Sequence, residues 1–98
     1  MQQFLSEGIF MTNAEIIEII NDSMIKEFEL DPETMTPEVH LVKDLEMDSL
    51  DFVDLVVILQ EAFGVKLRND SSVREINTLG DLHSLILEKK KQLEAEQK

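Results

Sequence analysis

Ser49 is the residue whose surroundings point most directly to chemistry. It lies in LVKDLEMDSLDFVDLVVILQEAFGV, residues 41–65, between an acidic approach (Asp44, Glu46, Asp48) and a long apolar run. A serine so placed can cap a helix, attack a substrate or carry an attached group. Capping requires only that Asp48 or Ser49 accept from the free N–H groups of a helix's first turn. Nucleophilic attack requires a general base held by a third group. The two histidines, His40 and His83, lie in no recognisable motif, and no G-x-S-x-G elbow is present. The acids do not follow the alternating ligands, central Gly and final Glu of a calcium loop, so diffuse cation binding is the most they support. From the Asp48-Ser49 pair alone capping is favoured over any chemistry; among the chemical readings, attachment fits better than nucleophilic attack or metal binding. A serine in the first turn faces the positive end of the helix dipole, which favours a phosphate ester, and an exposed hydroxyl is open to a modifying enzyme.

The elements that must position Ser49 read as helices. Thr12 and Glu15 have the spacing of a capping box, and Ile17, Ile20, Met24 and Phe28 follow as an amphipathic stripe that Asp31-Pro32 ends. Residues 31–47 form a long connection with two prolines and no clear period. Its Val39, Leu41, Val42 and Leu45 are apolar and pin it to the core, and an unstructured loop of this length is often functional. A second helix is predicted from Ser49 to Phe63, with Gly64 as its C-terminal cap. LVVIL alone would also suit a buried strand, but Asp51, Asp54 and Glu61 share one helical stripe and do not alternate. Residues 65–77 hold a turn and a short helix starting near Asp70 or Ser71. Thr78 and Asp81 open a last helix with Leu79, Leu82 and Ile86 on one stripe, and Lys89–Lys91 suit its C-terminus. The predicted fold is all-α: a small four-helix bundle of three longer helices and one short helix, with a long loop between the first and second. Residues 1–11 read as an extension, 12–92 as the domain and 93–98 as a frayed tail. There are no internal repeats.

Composition narrows the function. The chain has 98 residues, enough for one small domain with a modest core. Its net charge of -12 repels phosphate backbones and anionic membranes, so neither nucleic acid nor a membrane surface is expected as a partner, whereas a basic protein is. With no cysteine, the chain itself supplies no disulfide, thiolate metal site or thiol nucleophile. No apolar run reaches the roughly 18 to 20 residues of a membrane span, and MQQFLSEGIFMTN lacks the basic flank and apolar stretch of a signal peptide. A cytoplasmic protein is expected.

Asp48-Ser49-Leu50, followed by Asp51, Val53, Asp54, Leu55 and Val56, resembles the D-S-L attachment motif of acyl carrier proteins. The likeness covers about residues 12–92: an acidic first helix, a long loop, D-S-L opening the second helix, a Phe near its end, a short third helix and an apolar fourth. It implies a non-catalytic carrier with 4'-phosphopantetheine on Ser49, placed there by a phosphopantetheinyl transferase and flanked by Asp48 and Leu50. The arm's thiol carries an acyl chain as a thioester, which accounts for a chain without cysteine. The resemblance further implies a monomer whose partner face is Asp44, Asp48, Leu50, Asp51, Val53, Asp54, Val57 and Glu61, read by basic patches on synthesis enzymes of fatty-acid or polyketide type.

Leu50, Val53 and Val57 also share a helical stripe, so core and partner contact are both open for the two valines. Six acids between residues 44 and 61, with no Lys or Arg among them, are too one-sided for an ordinary solvated face. The implied core sets Ile17, Ile20, Met24 and Phe28 against Leu55, Leu59 and Phe63, closed by Leu82, Leu85 and Ile86, and in the family the acyl chain slips between these helices. The chain departs from the family pattern at Glu46, where a Gly is common two residues before the Asp, at the bulky Phe52, at Gln60 in the acidic row, and at the basic Lys66, Arg68 and Arg74. An aminoacyl or peptidyl carrier, and an unmodified helical adaptor in which Ser49 is only a cap, are the rival readings.

Overall fold

The computed structural model describes residues 12–67 and 70–96; the extension expected at residues 1–11 lies outside them, as do Arg68, Asn69 and residues 97–98. Three α-helices follow in order: α1 (Asn13–Phe28), α2 (Ser49–Phe63) and α3 (Leu79–Glu96). Two short 3-10 helices, Pro32–Thr34 and Ser71–Glu75, lie in the connections. The short helix expected near Asp70 or Ser71 is the second of these, too brief for an α-helical hydrogen-bond ladder. No strand forms among the described residues; an isolated antiparallel bridge joins His40 and Thr78.

The helix starts are built as their sequences predict. Thr12 Oγ1 accepts the Glu15 N–H at 3.1 Å while Glu15 Oε1 accepts the Thr12 N–H at 2.9 Å. Thr78 and Asp81 form the same reciprocal pair at the start of α3, at 3.2 and 3.1 Å. Asp81 also accepts the Asn77 N–H, and these backbone donors hold its carboxyl below the usual carboxylate range. α2 ends at Gly64, whose φ of 70° is the left-handed cap that glycine adopts freely.

α1 buries Ile16, Ile20 and Met24, in steps of four, against α2 and α3. Ile20 and Met24 are core as expected, but Ile16 takes the place expected for Ile17. Ile17, assigned to the core from its sequence, lies half-buried on an outer face with Ile25 and Met35, and Phe28 is also only half-buried. Leu55, Leu59 and Phe63 from α2 meet Leu79, Leu82, Leu85 and Ile86 from α3. His83 crosses to α1, where its Nε2–H donates to Asn21 Oδ1 at 2.8 Å, and burial pushes the imidazole pKa down. Lys89–Lys91 are not at the end of α3, which runs on to Glu96. Lys89 pairs with Asp70, tying the second 3-10 helix to α3, and Lys90 buries its stem.

The long connection is pinned by backbone bonds to the start of α3. The Leu41 N–H donates to Asn77 O at 2.9 Å, Leu79 N–H to Val39 O at 3.0 Å and Gly80 N–H to Pro37 O at 2.9 Å. A Cβ on residue 80 would stand 3.1 Å from Pro37 O, so glycine suits this close approach. Leu41 and Met47 are fully inside, whereas Val42, expected to help pin the loop, is half exposed.

Candidate functional site

The loop that delivers Ser49 is a series of local caps. His40 Nδ1 accepts the N–H groups of Val42 and Lys43 at 3.2 and 3.0 Å, and Asp44 Oδ2 accepts the His40 N–H at 2.7 Å. Asp44 thereby holds the turn, a use of its carboxylate beyond the partner contact expected from the sequence. The Glu46 N–H donates to Val42 O, and Glu46 takes a φ of 61°. That left-handed conformation turns the chain so that Met47 enters the core and Asp48 starts α2.

Left-handed backbone costs a residue with a Cβ about 1–2 kcal/mol, while glycine's extra freedom in the unfolded chain takes back about 0.4–1 kcal/mol. Glu46→Gly is therefore expected to stabilise the domain by about 0.5 kcal/mol, a rise of about 2–4 °C in Tm by thermal unfolding. Glu46→Ala keeps the Cβ and should give no such rise. An equal gain from both variants would assign the effect to lost charge repulsion.

At the helix start, capping belongs to Asp48. Its Oδ1 accepts the Asp51 N–H at 2.9 Å, and Asp51 Oδ2 accepts the Asp48 N–H at 3.2 Å. Ser49 is the first helical residue, exposed, with its hydroxyl outside this reciprocal pair. The sequence left Asp48 and Ser49 as alternative caps; the geometry assigns the role to Asp48.

The expected partner face divides clearly. Leu50, Val53 and Val57 are 73%, 59% and 37% exposed, so these three are surface and not core. Asp54 and Glu61 are exposed on the same helix, beside the capping pair Asp48 and Asp51. Gln60, which interrupts the acidic row, has a structural use: its Oε1 accepts the Leu67 N–H at 2.8 Å and fixes the chain after Gly64. Among the described residues, no cluster of three His, Cys, Asp or Glu side chains could hold a metal ion.

Beside this face lies a feature the sequence did not reveal. A cleft of about 440 Å³ opens between α2 and the second 3-10 helix, with Phe52, Val53, Val56 and Val57 on one side and Leu67 and Val73 on the other. Asp70, Ser71 and Arg74 form its polar rim. The ion pair with Lys89, then the Ser72 N–H, holds the Asp70 carboxyl below its ordinary range. Val73 and Leu67 come from outside the α-helices, so α-helical periodicity could not bring them to the cleft. The bulk of Phe52 was the available sequence signal.

Ser49 fits a phosphodiester-linked arm. Its exposed hydroxyl is unencumbered by the cap, and the first-turn amides of α2 supply a positive field. Asp48 and Asp51 oppose that field, but a covalent link would not depend on ionic retention. The bound arm would supply the thiol this chain lacks.

The sequence profile described as a phosphopantetheine attachment site matches residues 18–86. The chain is similar to acyl carrier protein 2 of Ralstonia nicotianae, with 39% identity over 72 residues, covering 74% of this chain and 88% of that protein. It is also similar to an acyl carrier protein of a Picosynechococcus species, with 32% identity over 77 residues, covering 79% and 94%. Among solved structures, an acyl carrier protein from Thermotoga maritima superimposes with a TM-score of 0.70 over 85% of this chain and 95% of its own, at 24% identity, a likeness of fold. Together with the helical fold, the matching profile and relatives place this chain in the acyl carrier protein family, non-catalytic proteins that hold acyl groups on a covalently bound 4'-phosphopantetheine.

Proposed function

We propose that Ser49 is the attachment point of the arm and that α2 presents both the arm and the surface by which enzymes find it. The observation that carries this reading is the division of labour at the start of α2: Asp48 and Asp51 cap the helix, and exposed Ser49 is left for modification. Ser49 needs no histidine partner because the activating groups belong to the phosphopantetheinyl transferase. The test is the intact mass after incubation with coenzyme A, Mg²⁺ and such a transferase. One added phosphopantetheine group supports the reading; an unchanged mass with several transferases would make this chain an unmodified helical adaptor.

Asp44, Asp48, Asp51, Asp54 and Glu61 form the acidic part of the docking surface, and Leu50, Val53 and Val57 its apolar part. Basic patches on the transferase and on synthesis enzymes of fatty-acid or polyketide type are the complementary chemistry, met by a cytosolic monomer. Asp54 gives the cleanest test, because it is exposed and makes no cap. Asp54→Lys should lower the transferase's kcat/KM by about 3- to 10-fold at low salt, through slower encounter. The difference should shrink at about 1 M salt, where charges are screened within about 3 Å. A defect independent of salt would point to lost shape complementarity. The acyl chain, as cargo, would use the cleft beside Phe52, since burial of methylenes there removes apolar surface from water.

A further inference from the structure

The outer cleft does not continue freely into the domain. Beside it lies a much smaller void of about 10 Å³, room for about one water, lined by core residues that include Leu55, Leu59 and Leu85. Phe52, Val56, Leu67 and Val73 border both spaces. Phe52 is the largest of the four and the one nearest in sequence to Ser49. It lies three residues beyond Ser49 on α2, and residues at that spacing share a helical face. Long helical side chains also lean back toward the helix N-terminus, here toward the serine's turn. The ring is half-buried and packs on the core without belonging to its fully enclosed part. Rotation of such a side chain disturbs fewer neighbours than rotation of Leu55 or Leu59.

Building on the assignment of the arm to Ser49, we propose that Phe52 is a length-limiting gate: it admits the first carbons of an acyl chain to the outer cleft and blocks their passage into the core. Short and medium acyl chains then find full shelter in the cleft, and further methylenes of a longer chain stay in water. The specificity this creates belongs to the carrier, before any synthesis enzyme acts.

The test loads wild type, Phe52→Ala and Phe52→Leu with butyryl-, octanoyl- and dodecanoyl-pantetheine arms from the corresponding acyl-coenzyme A esters. Intact mass then follows thioester cleavage by hydroxylamine, which leaves free arm thiol and the acyl hydroxamate. In wild type, protection should rise from butyryl to octanoyl and rise no further with dodecanoyl. In Phe52→Ala the dodecanoyl thioester should be protected about tenfold more than in wild type, the effect of roughly two more buried methylenes. Phe52→Leu should shift in the same direction by less, and it carries the test if the alanine variant melts below the assay temperature. An unchanged dependence on chain length in the folded variants would overturn the gate, as would wild-type protection that keeps rising through dodecanoyl. Absence of any loading would instead remove the arm assignment at Ser49, and the gate with it.

Discussion

Ser49→Ala is expected to abolish the gain of phosphopantetheine completely while leaving the stability of the domain within about 0.5 kcal/mol of wild type, the usual range for an exposed substitution. The two readouts separate because the structure separates the two roles. The helix start is satisfied by Asp48 and Asp51, whose reciprocal bonds at 2.9 and 3.2 Å survive the loss of a hydroxyl that neither uses. Asp48→Ala should show a different pattern. It removes the acceptor for the Asp51 N–H and should cost about 1 kcal/mol, a fall in Tm of about 4–8 °C, while the serine nucleophile remains in place. Thermal unfolding and intact mass on the same samples check both. If Ser49→Ala melted as low as Asp48→Ala, the serine would be part of the cap after all. If it still gained the arm, attachment would lie elsewhere.

Leu59→Ala should have the largest effect on folding. Leu59 is fully buried, in the middle of α2, and lines the small void beside Phe52. Removing its branched end loses transfer free energy and enlarges an existing hole, so a cost of about 3 kcal/mol is expected. In a domain of this size the whole stability is of order 5–15 kcal/mol, and the loss corresponds to a fall of about 12–24 °C in Tm. Leu50→Ala, on the same helix but 73% exposed, should change stability by under about 0.5 kcal/mol. The contrast between two leucines of one helix tests the division between core and docking face. Equal losses would mean that Leu50 is packed in solution.

Much of the fold was legible because its signals are local. The bounds of α2, its glycine cap and the capping pairs at Thr12–Glu15 and Thr78–Asp81 depend on residues within a turn of each other, and all stand where the sequence placed them. α1 was ambiguous for a specific reason. EIIEII places isoleucines at 16, 17, 19 and 20, so a stripe through Ile20 and Met24 can begin at either Ile16 or Ile17, and only packing against α2 and α3 selects Ile16. The lysines at 89–91 resembled a helix end because charge near a C-terminus is favourable, yet pairing with Asp70 and continuation of the helix outweighed that signal.

The candidate site was legible in part. Ser49, Asp48 and Leu50 were evident as a local pattern. The exposure of Val53 and Val57 was not, since a stripe of valines on a helix reads alike whether it faces the core or solvent. Beyond the bulk of Phe52 the cleft could not be read: Leu67 and Val73 reach it through the turn held by Gln60 and the 3-10 helix tied to Lys89, contacts that helical periodicity does not encode. Glu46 shows both sides. The resemblance leads one to expect a glycine where Glu46 stands, and only the structure shows the φ of 61° there, a conformation that glycine adopts freely.

The most direct test of the central claim is to locate the modification on the unaltered chain. The protein would be loaded by a phosphopantetheinyl transferase, digested and sequenced by tandem mass spectrometry. One phosphopantetheine is expected, on the peptide containing DSLDF and on Ser49 within it. A modification on any other serine, such as Ser71 at the rim of the cleft, or none under conditions that load another acyl carrier protein, would contradict it.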